Sequence, residues 1–149
     1  RKSKGRIIFT SSAAAIFPIP FQSFYSATKS AIESLTCALA NELKAFGISV
    51  CAVRLGDVKT GFTAARQKDF AGDDIYGGMI SKSVSVMEND EIRGMKPEEI
   101  AAAVMKVAQK KKPPVIVTVG TKYKLFCFLA KILPQNTANK IVGSMYMPK

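Results

Sequence analysis

No histidine and no tryptophan occur anywhere in the 149 residues. Without an imidazole, Ser-His-Asp and Cys-His nucleophilic catalysis are excluded within the chain. Cysteine is sparse as well: Cys37, Cys51 and Cys127 are odd in number, widely spaced and free of a CxxC pair. That pattern reads as reduced, packed thiols, and no metal site is expected. The ten glycines form neither GxGxxG nor a Walker loop, so no cradle for a phosphate is visible. The longest late apolar run, LFCFLAKIL, contains Lys131 and falls far short of the roughly 20 residues that span a bilayer. Acidic residues stop at Glu99, whereas nine lysines follow residue 100, so nine of the eleven net positive charges belong to the last fifty residues.

What is present suffices for a core, since 48% of the residues are hydrophobic. GRIIFTSS reads as an apolar strand over residues 7–12 that ends in Ser11 and Ser12. A proline-punctuated loop, AIFPIPFQS, leads into a helix from about Ser23 to Phe46, stopped by Gly47. Ile32, Leu35, Leu39, Leu43 and Phe46 make an apolar stripe along that helix, expected to pack into the core. ISVCAVRL gives a second strand, parallel to the first through a right-handed crossover. Residues 61–94 are irregular, with Met79, Met87 and Met95 suited either to gap filling or to an adaptable apolar pocket. Pro97, Glu98 and Glu99 open another helix, and VIVTV is a further strand.

Proton chemistry has one place to reside. Tyr25 and Lys29 stand four apart on the first helix, hence on one face, about 5 to 6 Å apart at Cβ. A phenol is a poor acid or base at neutral pH until a nearby cation favours its ionised form, and Lys29 is placed to do so. In a lysine-rich chain this spacing arises readily by chance, and its plain alternative is a solvated lysine beside a half-buried tyrosine. Context favours the chemical reading, because strand, loop and helix place the pair beyond the carboxyl end of a strand, where open α/β sheets hold their ligands. Of the two strand-end serines, Ser12 is the better candidate: alternation turns Ser11 to the opposite face.

Ser12, thirteen residues before Tyr-x-x-x-Lys, together with the later LGDVKTGF, resembles the short-chain dehydrogenase/reductase family. Gly56, Val58 and Thr60 are in register with that family's Pro-Gly-x-Val/Ile-x-Thr nicotinamide loop, although Leu55 replaces the proline and Ala15 a glycine common after the serine. The resemblance implies a Rossmann-like, doubly wound parallel α/β sheet, here only its C-terminal strands and helices, with the first βαβ units and their phosphate-binding glycines missing. It implies hydride transfer between NAD or NADP, the latter favoured by family analogy, and an alcohol or carbonyl carbon. Tyr25 would give or take the proton, Ser12 would hydrogen-bond the same oxygen, and Lys29 would also hold the nicotinamide ribose; Gly56, Val58 and Thr60 would contact the carboxamide side. Thr60 has a plainer alternative as a helix cap, and Asp57 reads as a turn residue.

The expected organisation is a partial Rossmann domain over 1–120, with a substrate lid at 61–95, and a basic amphipathic tail over 121–149. The substrate is expected to be apolar or lipid-like, and the piece on its own catalytically silent. The expected location is cytoplasmic, with peripheral membrane attachment as a further expectation, because lysines alternate with aromatic and aliphatic residues in KYKLFCFLAKILPQNTANKIVGSMY. A basic tail helix folded over the substrate pocket is the competing account. A homo-oligomer is suggested by family habit alone, through Ala31 and Ala38. Nucleic acid binding rests only on positive charge, without a recognition motif. A non-catalytic, membrane-associating relative of the same fold is the alternative function.

Overall fold

The computed structural model describes residues 4–147. Three parallel strands, β1 (Arg6–Ser12), β2 (Ser49–Leu55) and β3 (Ile116–Thr118), lie in the order β1-β2-β3. Register runs from Arg6 opposite Ser49 to Ser12 opposite Leu55, and from Ala52 opposite Ile116 to Arg54 opposite Thr118. The α/β class with a parallel sheet is therefore as expected.

β2 is buried from Val50 to Arg54 because helices cover both of its faces. On one face Cys51 and Val53 join Val107 and Val119 in the core, flanked by Ile8, Leu55, Ile100 and Val104. Val107, Ile100 and Val104 come from α4 (Pro97–Gln109), whose first turn carries Glu98 and Glu99 at the positive end of the helix. Arg6 closes the other end of α4. Its guanidinium donates to the Val107 carbonyl at 2.6 Å, to that of Ala108, and to that of Lys110 at 2.6 Å. The last carbonyls of a helix lack i+4 donors; that of Val107 takes the Lys110 N–H at 3.3 Å, and an arginine from β1 supplies further donors to this end.

The opposite face is covered by α1 (Ser23–Glu42), which tightens into a 3-10 turn over Leu43–Phe46 before Gly47. Here the expected apolar stripe is corrected. The buried residues of α1 are Ser26, Glu33 and Thr36, whereas Leu35 is 48% and Phe46 46% exposed. The reason lies in the sheet: alternation turns Arg54 toward α1, and Glu33 meets it with bonds of 2.8 and 2.5 Å while accepting from Ser11 Oγ at 2.7 Å. Arg54 also donates to Thr118 Oγ1 at 3.2 Å, so one ionic network joins α1 to all three strands. Burial acts to lower the Arg54 pKa, but hydrogen bonding and charge from Glu33 outweigh it and hold the guanidinium ionised.

Between β2 and α4 lie the short α2 (Phe62–Ala65) and α3 (Met79–Ile92). Arg66, just after α2, pairs with Glu91 of α3 at 2.5 Å, and Thr63 Oγ1 donates to Glu91 at 2.6 Å. The tail is two helices, α5 (Thr121–Ile132) and α6 (Gln135–Tyr146), broken at Leu133 and Pro134. α6 packs against α3, closing one end of the molecule.

Candidate active site

β1 delivers Ser11 and Ser12 to the end of the sheet, and strand alternation separates their tasks. Ser11 is buried on Glu33. Ser12 faces away, and its Oγ accepts the Ala14 N–H at 3.2 Å where the chain leaves the strand in a 3-10 turn. That bond leaves the Ser12 proton available to donate.

Tyr25 sits in the first turn of α1 and is 41% exposed. One turn on, Lys29 Nζ donates to the Thr10 carbonyl at 3.1 Å and lies 5.6 Å from the centroid of the Tyr25 ring. The ammonium is thus tethered to β1 beside the phenol, so α1 and β1 hold the pair in one place.

The loop after β2 carries the other three residues. Thr60 Oγ1 accepts the Phe62 N–H at 3.2 Å, one position before the residue that caps α2, which is Gly61 and not the threonine expected there. Ser12, Tyr25, Lys29, Gly56, Val58 and Thr60 all line one cleft of about 560 Å³. Its mouth lies at the carboxyl ends of β1 and β2, as the connectivity of an open parallel sheet requires.

The other walls come from segments that the sequence assigned only broadly, the 61–95 stretch with Met87 and the tail. Arg66, Met87 and Glu91 from the α2–α3 segment and Tyr146 from α6 also line the cleft. Phe21, at its rim, has φ of 62°, a left-handed conformation that costs a bulky residue on the order of 1 to 3 kcal/mol. Its ring meets Tyr76 edge-on at 5.4 Å, joining the loop before α1 to the segment before α3.

A second cavity, about 170 Å³, opens beside the first between α5 and α6. Phe17, Phe126, Leu129, Ile141 and Val142 give it an apolar wall, and Ser12, Gly56 and Tyr146 border both spaces. A polar cleft and an apolar recess therefore meet at the serine.

Asp57, read from the sequence as a turn residue, is held by the tail. Its backbone N–H donates to Tyr123 Oη at 3.0 Å, and that phenol donates to the Asp57 carboxylate. Burial pushes the Asp57 pKa up, partly opposed by the Tyr123 bond. Burial first, then the neighbouring carboxylate, raises Tyr123, which stays a neutral donor. Tyr123 lay within the basic amphipathic pattern of the tail, and nothing in its local sequence pointed to Asp57.

The residues fit the nicotinamide end of a dinucleotide. A Cβ on Gly56 would fall 2.0 Å from Tyr123, so a side chain there would force the ring or the loop to move and close the cleft wall. Lys29 keeps ammonium protons beyond the one it gives the Thr10 carbonyl. No group for metal binding was found among the described residues.

The family model described as short chain dehydrogenase matches residues 1–71. A 3-ketodihydrosphingosine reductase of Bacteroides thetaiotaomicron is 38% identical over 136 residues, covering 89% of this chain and 51% of that protein. The NADPH-dependent 3-dehydrocapnine reductase of Ornithobacterium rhinotracheale is 27% identical, covering 94% and 50%. A short-chain dehydrogenase structure from Streptomyces avermitilis superposes with a TM-score of 0.61 at 22% identity, over 93% of this chain and 51% of that one, a likeness of fold. The chain spans about half the length of the curated relatives it matches. With the serine, the Tyr-x-x-x-Lys pair and the glycine loop on one cleft of a parallel sheet, the chain belongs to the short-chain dehydrogenase/reductase family.

Proposed function

We propose that the complete protein is an NAD(P)-dependent oxidoreductase that interconverts a ketone and a secondary alcohol on an apolar, lipid-like substrate, and that the half-length chain alone is silent. The observation carrying this reading is the convergence of Ser12, Tyr25, Lys29, Gly56, Val58 and Thr60, from separate segments, on one cleft. When bound, the nicotinamide supplies or accepts the hydride at the substrate carbon. In reduction, negative charge grows on the carbonyl oxygen; Tyr25 delivers its proton there, and Ser12 donates a hydrogen bond that holds the oxygen in place. In oxidation the Tyr25 phenolate removes the alcohol proton. Lys29 stabilises that phenolate by charge and holds the ribose hydroxyls, while Gly56, Val58 and Thr60 line the carboxamide side.

An apolar substrate is supported by the recess that begins at Ser12 and by relatives named for a ketosphingoid base and a dehydrocapnine. Residues 61–95 act as the lid in this reading, with Met87 at its inner face. NADP is favoured over NAD because one relative is named as NADPH-dependent. In the complete protein, Tyr25→Phe is expected to lower turnover by about 10²- to 10⁴-fold while leaving cofactor binding nearly intact. Stopped-flow hydride transfer with a panel of long-chain ketones measures this, and undiminished turnover would remove Tyr25 from the role.

The second reading, a non-catalytic relative that binds membranes, is favoured by one observation: Leu125, Phe128 and Ile132 lie exposed along α5 among Lys124 and Lys131. Cofactor titration separates the two, since that protein would transfer no hydride to any ketone of the panel.

A further inference from the structure

The loop Gly56–Thr60 is gripped from two sides, and neither grip comes from the strand that precedes it. On one side Met95 N–H donates to the Asp57 carbonyl at 2.9 Å, and Lys59 N–H donates to the Met95 carbonyl at 2.9 Å. Gly94 lets this backbone come close: a Cβ there would stand 2.5 Å from the Asp57 carbonyl carbon. On the other side stands Tyr123, whose ring lies against Gly56 and whose hydroxyl binds Asp57 twice, at its amide and at its carboxylate. Tyr123 belongs to α5, some 66 residues along the chain from Asp57, and its ring also meets Phe126 edge-on at 6.4 Å in the wall of the apolar recess.

A neutral hydrogen bond and one to a carboxylate, made by a single phenol, fix both the height of the loop and the rotation of its first peptide. We propose that Tyr123 is a positioning residue for the cofactor loop, acting through Asp57 and coupling the tail helices to the nicotinamide side of the cleft. This rests on the reading of Gly56, Val58 and Thr60 as cofactor contacts. Tyr123 touches no reacting atom. Its effect is to present the loop in the geometry the cofactor requires, so that binding does not have to order it.

Tyr123→Phe and Asp57→Asn in the complete protein test this. The first keeps the ring on Gly56 and removes only the hydroxyl. Amide hydrogen exchange at residues 57–60 is expected to quicken in Tyr123→Phe, and the NADPH dissociation constant to rise about tenfold, as befits one lost hydrogen bond to a charged group. KM for the cofactor should rise by more than kcat falls, and the double variant should be no weaker than the worse single one, since both substitutions break one clasp. Unchanged exchange at the loop overturns the proposal, and so does faster exchange with an unaltered NADPH affinity and KM. If the wild-type complete protein binds no nicotinamide cofactor, the oxidoreductase reading fails; exchange in Tyr123→Phe then still upholds or overturns the hold on the loop.

Discussion

Neighbouring residues at the end of β1 meet different surroundings. Ser11 and Ser12 are identical in kind and adjacent, yet Ser11 is buried and locked onto Glu33, whereas Ser12 borders both the cleft and the apolar recess. Period-two alternation was enough to read from sequence that they turn opposite ways, because it depends only on backbone geometry. Asp57 was not legible in that way. Its burial and its bond to Tyr123 depend on where a helix 66 residues away comes to rest. The raised Asp57 pKa has a signed consequence. An acid whose folded value exceeds its ordinary one, here 3.8, favours the folded chain fully below that ordinary value. The contribution is lost as pH rises through the folded value, so stability declines across a window that opens near 3.8 and extends upward. Urea midpoints between about pH 4 and 7 should fall less steeply in Asp57→Asn than in the wild type. An identical slope in the two proteins would mean that another group titrates there.

At the level of elements, the three strands, α1 and α4 followed from hydrophobic period and terminal residues, with bounds within a few positions, whereas α3 (Met79–Ile92) formed in a stretch read as irregular. β1 begins at Arg6 and α1 gives way to a 3-10 turn at Leu43. What the pattern concealed was which face of α1 meets the sheet. Ile32, Leu35 and Leu39 carried the periodic signal, but Arg54 near the carboxyl end of β2 demands a carboxylate opposite it, and Glu33 takes the buried position. A charged residue in a central strand overrides a hydrophobic stripe, because an unpaired buried charge costs more than a half-exposed leucine. With side chains only 8% and 11% exposed, the pair has little water to fall back on. Glu33→Leu is expected to destabilise the chain by about 3 to 5 kcal/mol, since it strands the guanidinium. Glu33→Leu combined with Arg54→Met should recover most of that loss. Chemical denaturation of the four members of the cycle measures it, and additive losses would show that the two side chains act separately.

For the whole molecule, charge is distributed by position along the chain rather than balanced locally. The tail, with lysines and no acids, folds as α5 and α6, and α5 has one side toward the apolar recess and another side exposed. Phe126 and Leu129 look into the recess, whereas Leu125, Phe128 and Ile132 are exposed. No helix among the described residues is long and apolar enough to cross a membrane. Binding through the exposed side of α5 would be peripheral, each lysine near an anionic surface contributing about 1 kcal/mol. Co-sedimentation with phosphatidylserine-containing vesicles should exceed that with phosphatidylcholine alone, weaken with added salt, and diminish in Leu125→Ser/Phe128→Ser. Equal recovery on both vesicle types would argue against this surface.

The three thiols divide along the same lines of burial. Cys51 is enclosed in the central strand, where burial pushes its pKa up, and Cys127 is enclosed in α5, while Cys37 stands exposed on α1. A thiol-reactive dye would therefore mark one sulfur on the folded chain and reach the others only as the sheet or the tail comes apart. The chain carries its own gauge of opening, with one sulfur as the reference and two as the reporters.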